Sequence, residues 1–310
     1  MTFSNLSQMS FVTSDKQKKF LKEVDDICRS IRQEEEKCYL EEKLNEKIIP
    51  EFGKIGMLGC PISRRYGGLG YDILIYVLAI ERIGEEGNSL RSFFSAHSSI
   101  GQMVLQGWAD EAQKHEYPPT TCDGRSIMAF ALTEPVAGSD PSSIVTKFED
   151  RGNHFLLNGK KHWIGNGTCA NVMTTYAKEA GGSHHGKISA FIVDGDSDGV
   201  SIKVMRNKLG LLTMKNAEIY FDNCVVPKKN LLWLKGQGLN IACSALIDST
   251  PSVATGAVGV MKDCLEESVS YSKAREQHGS PLAKKQLIQE HLARIVVNIE
   301  SSCWLVYRAA

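Results

Sequence analysis

The chain has 310 residues, 42% hydrophobic and 23% charged, with 36 Lys+Arg against 36 Asp+Glu. That length suits two or three domains with cores of their own. Zero formal net charge argues against a nucleic-acid or anionic-membrane partner, because neither surface would attract the chain over long range.

The first residues, Met1 to Lys19, carry neither a continuous apolar signal core nor the Arg-rich character of a transit peptide. From Ser14 to about Glu116 the signals are helical. Ser14 with Gln17 fits a capping box, and Phe20, Val24, Ile27, Cys28 and Ile31 follow on one face at helical spacing. A second helix is expected over 48–58, ending at Gly59 and Pro61, and a third over 73–83 after the glycine-rich turn at Gly67, Gly68 and Gly70. From about Ser126 to Val226 the period switches to two. Strand candidates lie at 127–132, 155–157, 172–176, 188–193 and 217–221, and Asn158-Gly159 is a strong hairpin signal. After Pro227 helical periodicity returns over 258–275 and 287–309. Helices, then strands, then helices exclude a Rossmann unit, in which the two alternate. No apolar run reaches the roughly 18–20 residues of a bilayer span. Nine scattered cysteines without a CxxC read as buried thiols of a reducing compartment, so the chain is expected to be cytoplasmic.

The most specific text lies in the middle. Thr133 stands where a buried strand opens into the turn Glu134-Pro135-Val136-Ala137-Gly138-Ser139-Asp140. Backbone N–H groups and the hydroxyls of Thr133 and Ser139 are available to a ligand there, and Gly138 permits close approach. Trp163 offers a planar face for an aromatic cofactor. His184-His185, beside Gly181, Gly182 and Ser183, reads as a mobile hairpin tip and not as a metal site. Glu34, Glu35 and Glu36 read as a solvated helix face.

Taken together these stretches resemble the acyl-CoA dehydrogenase family of flavoproteins. Ala131 to Asp140 matches its LTEPxAGSD signature, and Trp163-Ile164-Gly165-Asn166-Gly167 its WITN(G/A). Tyr66 to Gly70, His97-Ser98-Ser99, Phe221 to Pro227 and Arg275 to Gly279 with Gln286 match four further family segments in the same order. The resemblance implies an α+β multidomain fold: an N-terminal helical domain (1–122), a middle β-barrel domain (123–232) and part of a C-terminal helical bundle (233–310). It implies FAD as cofactor, lined by Phe130, Leu132, Thr133, Gly138, Ser139, Trp163 and Gly165, with Ser139 also near the substrate's pantetheine arm. Gly165 stands where the family usually has a threonine that contacts the flavin. Arg275, His278 and Gln286 match positions that reach the FAD of a neighbouring subunit, so a homodimer or homotetramer is implied. No metal is.

The implied reaction is α,β-dehydrogenation of an acyl thioester, with a flavoprotein as electron acceptor. A carboxylate must take the α-proton. One usual place for it is Ser249 here; the other lies beyond Ala310, so the base is expected there. Thr250 and Leu212 replace arginines of the family pattern, which also fits a subgroup acting on acyl groups tethered to a carrier protein. Two further readings stay open: a non-catalytic flavoprotein scaffold if the chain ends at Ala310, and a flavin oxygenase.

Overall fold

The capping box at Ser14 forms as spelled: its hydroxyl accepts the Gln17 N–H at 3.3 Å and the Gln17 side chain accepts the Ser14 N–H at 2.8 Å. It opens α1 (Asp15–Leu40), which buries Phe20, Val24, Cys28 and Ile31. The computed structural model describes residues 13–182 and 184–310. Residues 1–12, where the sequence shows no signal core, and Ser183 of the histidine-bearing tip lie outside the described residues.

The helix expected over 48–58 is shorter. Helix α2 (Ile48–Lys54) stops because Gly56 turns to φ +76°, and a 3-10 turn follows. Helices α3 (Ile73–Glu86) and α4 (Asn88–Phe94) lead into a π-helix, Ser95–Gln102, and short helices α5 (Met103–Trp108), α6 (Glu111–Glu116) and α7 (Pro118–Cys122) close the region.

Eight strands then form one sheet: β1 (Met128–Ala131), β2 (Lys147–Asp150), β3 (His154–Ile164), β4 (Val172–Glu179), β5 (Ile188–Asp194), β6 (Val200–Val204), β7 (Ala217–Pro227) and β8 (Leu231–Leu232). The pairing order is β6-β7-β3-β2-β4-β5-β8, with β1 beside β4. It curls around Phe148, Phe155 and Phe191, whose ring centroids lie 4.9–5.6 Å apart, edge to face. Among the described residues the path has two ends, so this is a curled sheet that no strand pairing closes into the expected barrel.

Asn158-Gly159 does not make the hairpin its sequence signals. It lies inside β3 as a bulge, where the register against β7 shifts between Leu157 and Gly159. Gly159 has φ +150°, and a Cβ there would stand 2.5 Å from the Thr146 hydroxyl. The turn from β2 to β3 falls instead at Gly152, with φ +85°.

The C-terminal helices also differ from expectation. Helix α8 (Gly238–Ala274) begins twenty residues before 258 and runs through Pro251. Proline removes one donor from the helical ladder, and the Ser249 and Thr250 hydroxyls both turn back onto the Leu246 carbonyl at 3.0 Å. By length and composition α8 is the one helix among the described residues that could cross a membrane. Here it packs against α3 and the sheet. Helix α9 (Gln286–Ala309) is anchored through Glu81 of α3, whose buried carboxylate accepts from Tyr307 at 2.6 Å and from Lys262.

His97 joins the helical region to the sheet. It is wholly buried in the π-helix, donates from Nε2 to the Thr121 carbonyl at 3.0 Å and accepts the Met128 N–H on Nδ1 at 3.1 Å. Burial lowers its pKa to about 4, so the folded chain keeps the ring neutral while the unfolded chain protonates it below about 6.5. Stability from this group is therefore fully present above pH 6.5 and falls as the pH drops to 4, by about 3 kcal/mol in all. Urea unfolding at pH 7, 5.5 and 4 should show that slope in the wild type and lose it in His97→Asn; parallel curves for the two would refute the assignment.

Candidate functional site

Strand alternation along β3 buries Phe155, Leu157 and Lys161. Continued, it would turn Trp163 into the core. A second register shift, between Lys161 and Ile164, reverses the faces: Ile164 is buried and Trp163, at φ +59°, is left 55% exposed. His162 stands behind its indole, edge-on at 5.0 Å, with Nδ1 3.1 Å from Glu218 Oε1. Hydrogen bonds from Lys160 and Tyr220 hold the Glu218 carboxyl down at about 2. Asn166 fixes the end of the turn, donating to the carbonyls of Phe93 at 3.0 Å and Met128 at 3.4 Å.

The loop after β1 lies across from the indole. Reciprocal backbone bonds between Glu134 and Ala137, 2.9 and 3.2 Å, close its Pro135-Val136 turn, and the His162 N–H donates to the Thr133 carbonyl at 2.8 Å. The loop is held down by an ion pair with both side chains fully buried: Lys161 Nζ lies 2.7 Å from Glu134 Oε1 and also donates to the Leu132 carbonyl at 3.0 Å. Glu134 accepts two further bonds, from the N–H groups of Val145 (2.6 Å) and Thr146 (3.0 Å). Burial alone would raise the Glu134 pKa; the Lys161 charge and these hydrogen bonds outweigh it and lower it. Burial pulls Lys161 down to about 8, with Glu134 opposing.

These segments enclose a cleft of about 500 Å³, within the usual size for a small-molecule or cofactor site. The sheet side supplies Phe130, Leu132, Thr133, Gly138, Ser139, Trp163 and Gly165; the π-helix adds Ala96 and Ile100, the 205–216 loop Met214 and Asn216, and α8 Leu246. All seven sheet-side residues picked out from the sequence meet there. A Cβ at Gly138 would touch nothing within 4 Å, so no protein packing explains the glycine and the space beside it is open to a ligand. Mostly apolar walls, a bare indole face and the hydroxyls of Thr133 and Ser139 suit a flat, weakly polar ring.

The other candidates are elsewhere. Arg275 ends α8, His278 sits at φ +53° in the β9–β10 hairpin (Glu276–Gln277 and Ser280–Pro281), and Gln286 begins α9. All three are exposed and none lines the cleft. Ser249 is buried with its hydroxyl on the Leu246 carbonyl. No carboxylate lines the cleft. Among the described residues no group of three or more His, Cys, Asp or Glu could hold a metal ion; His185 Nδ1 lies 3.0 Å from the Ala180 carbonyl. Ala96, Ile100, Met214, Asn216, Leu246 and the Glu134–Lys161 pair were not singled out from sequence. The pair left one faint signal, a lysine at an inward position of β3.

Three family models match the chain: acyl-CoA dehydrogenase N-terminal domain over residues 14–125, middle domain over 129–224 and C-terminal domain over 236–310. An acyl-CoA dehydrogenase of Bacillus subtilis is 37% identical over 264 residues, 85% of this chain and 70% of the relative. A short-chain-specific acyl-CoA dehydrogenase of Clostridium acetobutylicum is 33% identical over 87% of this chain and 71% of the relative. Butyryl-CoA dehydrogenase from Megasphaera elsdenii superposes with a TM-score of 0.92 at 31% identity, covering 97% of this chain and 80% of its own. A Mycobacterium smegmatis glutaryl-CoA dehydrogenase in complex with FADH2 gives 0.89 at 29% identity, covering 96% and 75%. The prolyl acyl carrier protein oxidase AnaB also gives 0.89 at 29%, covering 96% and 80%.

Removing one member of a buried pair leaves the other charge uncompensated, which costs about 3–5 kcal/mol. Lys161→Met should destabilise the fold by that order in urea unfolding, and Lys161→Met with Glu134→Gln should recover part of it. A single variant as stable as wild type would show that the pair does not hold the loop.

Proposed function

The chain belongs to the acyl-CoA dehydrogenase family, oxidoreductases of CH–CH bonds with FAD as cofactor, and from that premise we propose that it oxidises an acyl-CoA thioester to the 2-enoyl thioester. The observation that carries the reading is the bare face of Trp163 opposite Thr133 and Ser139 in an otherwise apolar cleft. Trp163 would cover one face of the flavin ring, Phe130 and Leu132 its edge, and the hydroxyls of Thr133 and Ser139 would orient ring and thioester. Bound FAD supplies the acceptor for the β-hydrogen. The apolar walls exclude water and strengthen each remaining polar contact. Since the cleft has no carboxylate, we assign the α-proton to an acid on a segment other than those lining it. The scattered cysteines without a CxxC support a reducing compartment, the cytoplasm; Cys243 and Cys264 are exposed, against the expectation that all nine are buried.

A second reading, the same reaction on an acyl group tethered to a carrier protein, has support of its own. Thr250 has its hydroxyl on the Leu246 carbonyl and Leu212 is uncharged, so neither offers a cation to a CoA nucleotide. Both substrates share the pantetheine arm. Bleaching of the flavin by matched acyl-CoA and acyl-carrier-protein thioesters separates the two readings: faster reduction by the carrier-bound form favours the second.

We further propose a homo-oligomer in which Arg275, His278 and Gln286 of one chain meet the FAD of another, with an electron-transferring flavoprotein as acceptor. Exposure of all three away from their own cleft supports the first part. A guanidinium is suited to a pyrophosphate because its fork binds two oxygens at once.

Purified protein should take up FAD, and Trp163→Ala should weaken binding about tenfold, a loss of about 1.4 kcal/mol. Trp108→Ala, Trp233→Ala and Trp304→Ala should each stay near wild type in fluorescence titration. Equal loss across all four, or no uptake by wild type, contradicts the placement.

Arg275→Ala should lower FAD affinity and oligomer stability together, because a ligand bridging two chains links the two equilibria; Arg275→Lys should rescue little. Light scattering with and without FAD checks this, and a flavin-replete monomer defeats it.

A further inference from the structure

Gly165 occupies the wall of the cleft next to Trp163, and its glycine is not required by backbone conformation, since its φ lies outside the left-handed region. The cause is Met214. A Cβ on residue 165 would stand 2.3 Å from Met214 Cε and 3.5 Å from Ala96 Cβ. The thioether therefore fills the volume that a side chain at 165 would take.

The backbone beneath Met214 cannot withdraw. Lys208 Nζ donates to the Leu211 carbonyl at 2.6 Å, to Asn216 Oδ1 at 2.9 Å and to the Met214 carbonyl itself. The Met214 N–H donates to the Leu211 carbonyl at 3.1 Å, and the Asn216 N–H returns to the Met214 carbonyl at 3.0 Å. Next to it, the Thr213 hydroxyl donates to Glu35 of α1 at 2.8 Å, a contact in which both side chains are buried, so Glu35 is not on the solvated face expected of the run Glu34-Glu35-Glu36: its position in the helix period turns it inward. The loop is tied to α1 and to itself, while the methionine side chain keeps three rotatable bonds and a polarisable sulfur.

We propose that Met214 takes the space a side chain at 165 would occupy and so sets the room left for the ring in the flavin cleft, a role that rests on the flavin reading above. Because the main chain is stapled, a side chain added at 165 has one way to be accommodated: the Met214 methyl swings toward the cleft and takes space from the ring. The cost then falls on ligand binding and leaves the fold intact, since the displaced atom is the end of a flexible side chain.

The test uses the full chain as wild type, Gly165→Ala, Met214→Ala and the double variant, with FAD titration and thermal melting of the FAD-free protein as readouts. Gly165→Ala should melt within about 2 °C of wild type yet bind FAD about tenfold more weakly. Met214→Ala, which removes part of the cleft wall, should itself bind FAD more weakly than wild type, while the double variant should bind within about threefold of Met214→Ala, so that Gly165→Ala costs about tenfold only when the methionine is present and the two changes are strongly non-additive. The inference is overturned if Gly165→Ala binds FAD like wild type, if the double variant binds far more weakly than Met214→Ala, or if Gly165→Ala melts far below wild type, which would make the glycine a requirement of folding. Wild-type protein that takes up no FAD overturns the flavin reading itself, and this inference with it; wild type that binds while the variants do not differ overturns this inference alone.

Discussion

The cleft depends on one buried ion pair. Glu134 sits in the loop that follows β1, Lys161 on β3, and both side chains are withdrawn from water. Taking two charges out of water costs several kcal/mol per ion. That cost is offset here because every strong acceptor is used: the carboxylate takes Lys161 and two backbone N–H groups, and the ammonium also takes the Leu132 carbonyl. The result is geometric. Leu132 and Thr133 on one side and His162 and Trp163 on the other are neighbours in sequence of the two paired charges. Holding Glu134 against Lys161 therefore holds the hydroxyl of Thr133 opposite the indole of Trp163. The burial of Ala137 and the His162 N–H bond to the Thr133 carbonyl fix the same loop further.

The opposite wall is held by different means. The π-helix carries Ala96 and Ile100 to the cleft, while its own polar side chains face inward and bond to backbone and to other buried side chains. Ser98 donates to the Leu58 carbonyl, Ser99 to that of Ser95, and Ser95 pairs with Ser252 of α8. His97 and Asn166 then bind the helical region to β1 from two directions. Preorganised walls of this kind lower the ordering cost of binding a rigid ring. Against that frame Met214 is the adaptable element, a flexible side chain on a stapled main chain.

The chemistry is divided among segments. The sheet domain lines the cleft with Trp163 and the hydroxyl-bearing Thr133 and Ser139, which in the proposed reading would cover and orient a flat cofactor, and it contributes no carboxylate to the lining. Arg275, His278 and Gln286 lie exposed around the connection between α8 and α9 and do not line their own cleft. In the proposed oligomer, cofactor binding would depend on how chains come together.

The sequence by itself determined the order of helices and strands, the capping box, the buried stripe of α1 and the seven sheet-side residues of the cleft. Each of these is written in local periodicity or in a contiguous motif. Tertiary structure decided the rest. Asn158-Gly159 carries the local chemistry of a turn, yet pairing with β7 and the closeness of Thr146 make it a bulge. Helical periodicity in the sequence returns only at 258, yet packing of α8 on α3 carries the helix from Gly238 through Pro251. Trp163 would be buried by strand alternation, and the register shift that exposes it exists only because two strands are paired. Glu134 and Lys161 stand 27 residues apart, and Gly165 and Met214 still further, so no local pattern could show that they touch. Periodicity reports which face a residue takes within its own element, whereas charge pairing and side-chain volume depend on which elements become neighbours, and that is settled only when the chain folds.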